Sequence, residues 1–98
     1  MAKYRKRPLI IEAFQVTKEL IMAWVNHEIQ KPKEVTQLEV WWEDGVINEK
    51  QSTFGGMVAT LEGNTEFKIG DWLIRGTFGE LYPIKDEVFK ATYELIRD

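Results

Sequence analysis

The segment "IGDWLIRGTFGELYP" (residues 69–83) constrains the fold of this chain more than any other feature. Two short runs of strand-forming residues, 72–75 and 80–83, flank a tip with a glycine on each side, which is typical of an antiparallel hairpin. A register that sets Arg75 opposite Glu80 sends alternate side chains to opposite faces. The predicted inner face holds Trp72, Ile74 and Leu81, and the predicted outer face holds Arg75, Glu80 and Tyr82.

A second alternating segment, "LEVWWEDG" (38–45), carries two adjacent tryptophans. One side of an extended strand here is apolar and the other carries two glutamates, so we expect Trp42 in the core and Trp41 between carboxylates. Two explanations of Trp41 stay open: another part of the chain covers it, or it is an aromatic anchor for a partner. Asp44-Gly45 predicts a hairpin turn, with residues 46–50 as the returning strand.

The remaining strand candidates come from runs of apolar and β-branched residues. Apolar positions on both sides of "PLIIEAFQV" (8–16) predict an interior strand. A strand over 57–62 meets a turn at 63–65, and a three-residue loop there sets Leu61 beside Phe67.

Two helical segments are predicted. Thr17 fits an N-cap position, and apolar residues recur at helical spacing from Lys18 to about Ile29. Asp86 fits the cap of a single helical turn near the C-terminus. The following "ATYELI" (91–96) predicts a last strand that pairs with the N-terminal strand.

These elements predict an α+β fold in one domain spanning residues 1–98. We expect a single twisted antiparallel sheet, open or curled toward a barrel, with one main helix packed on one face and a short C-terminal helical turn.

Composition limits the chemistry. The chain has no cysteine and one histidine, His27, so disulfides, thiolate chemistry and a metal site built on those ligands are not expected. Ser52 is the only serine and lies in a polar segment without a nucleophile elbow, which argues against a Ser-His-Asp hydrolase. Gly55-Gly56 predicts a loop or bulge rather than a phosphate site, because neither a Walker pattern nor a following helix accompanies it. We expect no cofactor and no metal.

Charge is distributed unevenly along the chain. Four of the 13 basic residues lie in an N-terminal arm, Lys3, Arg5, Lys6 and Arg7, whereas the rest of the chain is acidic. The arm permits nucleic-acid binding together with exposed aromatic residues, but the acidic remainder would repel a phosphate backbone. The alternative is that these charges solvate the start of a strand or pair with the protein's own acids. No apolar run has the length of a membrane span and no signal peptide is predicted, so we expect a cytoplasmic protein.

One carboxylate pair permits an enzymatic hypothesis. Asp71 and Glu80 would have to approach each other across the hairpin, as the two carboxyls of a glycosidase do. The structural alternative is that Asp71 bonds its own turn and Glu80 pairs with Arg75. We favour the structural alternative, because small sheets rarely form deep clefts.

Two blocks of the sequence, "KYRKRPLIIEAFQ" (3–15) and "TLEGNTEFKIGDWLIRGTFGELYPIKDEVFKATYE" (60–94), carry a resemblance to known proteins. The chain resembles a family of small proteins from tailed bacteriophages and prophages that share a P-G-D-Y-like motif. It departs from the family pattern at Ile69, Trp72, Ile84 and Asp86, where the family often has Pro, Tyr, Cys and Pro. The resemblance implies a phage origin and a setting in the cytoplasm of a bacterial host, and it supplies no catalytic role.

We therefore expect a non-enzymatic phage accessory protein that binds a phage or host protein or associates with itself. The predicted binding surface centres on Arg75, Phe78, Glu80 and Tyr82, with Trp41 as a further candidate. Phe78 matters because a phenylalanine at a turn tip either folds back into the core or is offered to a partner.

Overall fold

The computed structural model describes residues 1–5, 9–40, 42–43, 46–47 and 54–96. Within these ranges the fold is α+β, as predicted, and mostly sheet. Its helices are α1 (Lys18–Val25) and α2 (Asp86–Thr92). Its strands are β1 (Glu12–Gln15), β2 (Val35–Glu39), β3 (Trp42–Glu43), β4 (Val46–Ile47), β5 (Gly55–Thr60), β6 (Gly63–Lys68), β7 (Trp72–Arg75) and β8 (Leu81–Ile84).

The strands form two three-stranded antiparallel sheets, in the orders β1-β7-β8 and β2-β5-β6, and a separate β3-β4 pair. The prediction of a single sheet is therefore wrong, and neither sheet closes into a barrel. The chain passes from one sheet to the other at the turn Ile69-Gly70, between β6 and β7, where Gly70 has a φ of 97°. Asp71 closes this turn, because its carboxylate accepts the Lys68 N–H at 3.0 Å. The chain is thereby redirected, and β7 pairs with β1 instead of β6.

The core lies between the two sheets and α1. Buried side chains from both sheets and the helix form one cluster, with partly buried residues around it. The cluster consists of Val16, Ile21, Trp24, Val35, Phe54, Val58, Phe67, Leu73 and Leu81.

Helix α1 begins as predicted but ends four residues early. The Thr17 side chain accepts the Leu20 N–H at 3.1 Å, which satisfies one of the free amide groups of the first turn. At the other end His27 takes a left-handed φ of 58° and donates to Trp24, while Glu28 donates to Ala23. This is the Schellman pattern of helix termination. His27 thus ends the helix through its backbone, and its side chain is exposed.

The β7-β8 hairpin has a different register from the predicted one. Arg75 pairs with Leu81 and Ile74 pairs with Tyr82, a shift of one residue. Directly opposed residues share a face, so the slip exchanges the faces of β8 relative to β7. The predicted inner and outer sets are both split. Leu73, Arg75 and Leu81 share the face toward the core, and Trp72, Ile74 and Tyr82 share the other.

Gly55 and Gly56 lie inside a strand, so the prediction of a loop or bulge is wrong. Both are buried. A Cβ atom on Gly56 would overlap the Gln37 carbonyl oxygen, and one on Gly55 would overlap the Phe67 carbonyl oxygen. Glycine is required because backbone from both neighbouring strands approaches this part of β5.

The turn between β5 and β6 is also displaced from the prediction. Thr60 pairs with Gly63, so Leu61-Glu62 form a two-residue turn and Leu61 is exposed rather than packed beside Phe67. Phe67 pairs with Gly56 and is fully buried.

Both ends of the described chain differ from expectation. β1 is an edge strand rather than an interior one, since it pairs with β7 alone in the part of the chain that the structure describes. α2 is a seven-residue helix instead of a single turn. Residues 93–96 form no strand, so the predicted pairing of a C-terminal strand with β1 is wrong.

The tryptophan pair can be followed only in part. β3 and β4 pair Glu43 with Val46, which agrees with the predicted hairpin. Trp41, the Asp44-Gly45 turn and the side chain of Trp42 lie outside the described residues, so the predicted positions of the two indoles stay predictions.

Candidate protein-binding loop

The loop between β7 and β8, residues 76–80, is held by its own hydrogen bonds. We call it the Phe78 loop. Gly76 donates to the Glu80 carbonyl at 2.8 Å, and Gly79 donates to the Gly76 carbonyl at 3.0 Å. The Glu80 carboxylate accepts the Phe78 N–H at 2.8 Å. Gly79 has a φ of 80°, a conformation that favours glycine. Glu80 therefore belongs to the loop rather than to β8, which explains the register shift.

Arg75 fixes the base of this loop to another part of the fold. Its guanidinium donates to the Gly79 carbonyl at 2.7 Å and to the Glu34 carboxylate just before β2. The hydrogen bond from Arg75 holds the pKa of Glu34 below its usual value. Arg75 is thus a positioning residue, because its donors are directed at the protein's own loop and β2 entry.

Phe78 is presented to solvent at the tip of the loop. Its side chain is 87% exposed, although it is one of the largest apolar side chains in the protein. Of the two outcomes predicted for a turn-tip phenylalanine, the structure therefore has the exposed one. The tip combines an exposed aromatic ring with a backbone that is constrained on both sides of it.

Two open grooves flank the loop. One, of about 620 Å³, lies on the side of residues 30–34 and includes Arg75 and Gly79. The other, of about 320 Å³, lies between the β5-β6 turn and β8, where it is lined by Leu61, Glu80 and Tyr82.

Tyr82 does not join Arg75 in the way that the sequence predicted. It lies on the opposite face of the sheet and is half-buried. Burial raises the pKa of Tyr82, and a hydrogen bond with Tyr93 contributes to the same effect. The structure thus places Phe78 and Glu80 in one loop, with Arg75 bonded to it from the end of β7, and places Tyr82 at the edge of the adjacent groove.

The two carboxylates of the enzymatic hypothesis are not brought together. Asp71 and Glu80 lie at opposite ends of β7, a four-residue strand about 13 Å long. Paired carboxyls of glycosidases lie roughly 5 to 10 Å apart. Asp71 is buried, closes its turn and lies 3.7 Å from the Lys85 ammonium. Glu80 closes the Phe78 loop.

The remaining predicted site residues lie in the N-terminal arm. Lys3 and Arg5 are exposed, and Lys6 and Arg7 lie outside the described residues. Among the residues that the structure describes, no group of His, Asp and Glu side chains is arranged to hold a metal ion. In the same part of the chain, no helix has the length and apolar character needed to cross a membrane.

One surface was missed by the sequence reasoning. An apolar groove of about 570 Å³ lies between the segment that enters β1 and residues 93–96. The signal was present in the two adjacent apolar residues Leu9-Ile10 and the later Leu95-Ile96. It was misread because both pairs were assigned to paired strands.

No protein-family model, curated protein or solved structure matches this chain. The phage resemblance therefore stays a prediction.

Proposed function

We propose that this protein is a non-enzymatic binding module and that the Phe78 loop anchors it to a protein partner, a phage or host protein of the bacterial cytoplasm. The observation that carries this proposal is the 87% exposure of Phe78 on a loop closed by hydrogen bonds. Aromatic side chains that fill a pocket on a partner commonly supply a large share of interface affinity.

The constrained backbone supports the same function. Binding costs conformational entropy when a loop must be ordered, and a loop that is already ordered loses less. Glu80 holds the Phe78 N–H, and Arg75 holds the Gly79 carbonyl. The ring is therefore presented by a loop that is organised before the partner arrives.

The test compares Phe78→Ala with Ile69→Ala. Ile69 is the matched control, because it is also an exposed apolar residue in a turn, and it lies at the end of β7 opposite the Phe78 loop. The immobilised full chain is incubated with a lysate of the bacterial host, bound proteins are quantified by mass spectrometry, and the leading candidate is then titrated in purified form.

We expect a partner that wild type and Ile69→Ala retain, and we expect Phe78→Ala to weaken its binding by at least about tenfold, equivalent to about 1.4 kcal/mol. The Tm of both variants should stay close to that of wild type, since neither side chain is buried. Equal retention by Phe78→Ala and wild type would contradict the proposal. A third variant, Glu80→Gln, keeps the ring but weakens the loop closure, and we expect an intermediate loss.

A further inference from the structure

The groove beside β1 is apolar and has no covering element among the described residues. We call it the β1 groove; its walls are residues 9–11 and 13 on one side and residues 93–96 on the other, and Trp72 and Phe89 also line it. Ile10 is 84% exposed and Leu95 is 78% exposed. None of its lining residues belongs to the Phe78 loop.

The backbone of β1 adds a second feature to the same surface. Val16 donates to Asp71 and accepts from Gly70, so both of its backbone groups point to the β7 side. Backbone groups alternate along an antiparallel strand, so those of Ala13 and Ile11 point away from β7. No described strand pairs with this side of β1. An unpaired edge of this kind is a template for another strand.

We propose that two copies of this chain associate by antiparallel pairing of their β1 strands, with the exposed apolar residues of each copy covering the β1 groove of the other. Such a contact is isologous, because the same surface is used on both copies. The β1 groove fits this requirement, since it adjoins an unpaired strand edge and its own walls carry the apolar residues that would cover it.

Charge favours a second copy over an unrelated apolar peptide. The arm that precedes β1 is basic, and its Lys3 and Arg5 are exposed. In an antiparallel pair the N-terminal end of each β1 lies beside the C-terminal end of the partner's β1, and that end leads into the first turn of α1, which carries Glu19. The basic N-terminal arm of each copy thus faces the other copy, whose chain is acidic outside its own arm.

The first experiment measures mass against concentration by sedimentation equilibrium. We expect a reversible dimer of twice 11.5 kDa for the full chain. Ile10→Lys should weaken the dissociation constant by at least about tenfold, because it places an ammonium group in the apolar contact. Leu61→Lys is the matched control for an exposed apolar residue elsewhere, and it should leave the constant unchanged.

The second experiment tests the strand pairing directly. The chain has no cysteine, so Ile11→Cys and Ala13→Cys each introduce a single thiol near the proposed two-fold axis. Opposed residues of an antiparallel pair have Cα atoms within disulfide reach. Mild oxidation should give a covalent dimer with one of these variants and not with Leu61→Cys.

Two results would overturn the proposal: a monomer at every concentration, or a dimer that Ile10→Lys does not weaken and that neither thiol crosslinks. Phe78→Ala should dimerise as wild type does. Loss of the protein partner and loss of the dimer are therefore separate outcomes, and either proposal can fail without the other.

Discussion

The two faces of the β1-β7-β8 sheet are covered in different ways. The face with Phe14, Leu73 and Leu81 packs into the core formed with α1 and the second sheet, where Leu73 and Leu81 are essentially inaccessible. The other face is covered by α2, a helix in which no residue is buried. β7 therefore has one face in the core and its other face under the peripheral helix α2.

A small number of contacts attach α2. The ring of Phe89 stacks on Trp72 with centroids 3.8 Å apart and planes at 8°. Asp86 accepts the Trp72 indole N–H at 2.9 Å and the Gln15 amide at 3.2 Å, and its other oxygen lies 3.0 Å from the Lys90 ammonium. Elements with few buried contacts open more readily than the core. We therefore expect α2 to detach before the sheets separate.

The largest predicted effect is on the core face. Leu73→Ala removes a fully buried side chain and should lower the free energy of unfolding by about 2–5 kcal/mol, since the lost burial and the cavity add. Urea unfolding followed by circular dichroism measures this loss. A loss smaller than that caused by removing Phe89 would show that the two faces do not differ as described.

Phe89→Ala should have the next largest effect. It removes the stacked ring from Trp72, and we expect a loss of about 1–2 kcal/mol, because an aromatic pair adds to the area buried. Hydrogen exchange is the sharper measurement. Amides of α2 should exchange faster while those of β7 keep their protection; equal loss of protection in both would contradict independent opening.

Asp86→Asn should have a smaller effect that depends on pH. The hydrogen bond from Trp72, and then the contact with Lys90, hold the pKa of Asp86 below its usual value. A lowered folded-state pKa stabilises the protein above the unfolded pKa of about 3.9, and this stabilisation is lost as the pH falls through the folded value.

The measurement for Asp86→Asn is Tm between about pH 7 and pH 3. The Tm of the wild type should fall on acidification, and the Tm of the variant should fall by a smaller amount. Glu34 also has a lowered pKa, so part of the acid dependence should remain. Curves that stay parallel over the whole range would show that the charge of Asp86 does not contribute to the attachment of α2.

Tyr82→Phe should have the smallest effect. Burial, and then the neighbouring Tyr93 just after α2, raise the pKa of the Tyr82 hydroxyl, and removal of this half-buried hydroxyl should lower the free energy of unfolding by at most about 0.5 kcal/mol. Ultraviolet titration should show the disappearance of one tyrosine with a raised pKa. If Tyr82→Phe lowered the free energy of unfolding as much as Phe89→Ala does, α2 would be held mainly at its C-terminal end and not by the stacked rings.

Local signals predicted local structure well. The Thr17 cap, the start of α1 at Lys18 and the strand 72–75 were all found, because each depends on residues that are close in sequence. The candidate loop was found for the same reason, since two glycines mark its ends. The contact that fixes the base of the loop was not predicted, because Arg75 and Glu34 are 41 positions apart in the sequence.

Pairing and register were predicted poorly. The spacing of apolar residues in 80–84 allowed two registers, and the choice of the observed one depended on Glu80 entering the loop. Gly55-Gly56 looked like a loop because the crowding that requires glycine comes from Gln37 and Phe67 on neighbouring strands. Neither cause is visible in a short window of sequence.

The sequence by itself determined the α+β class, the helix start, the hairpin at 72–83 and the position of Phe78 at its tip, because propensity, capping and turn chemistry act over a few residues. Only the structure decided that Phe78 is exposed. The tertiary structure alone decided that two sheets form, that β1 is an edge strand and that Arg75 and Tyr82 lie on opposite faces. Those outcomes depend on the turn at Gly70 and on a one-residue choice of register, and in a sheet a shift of one residue reverses which side chains are buried.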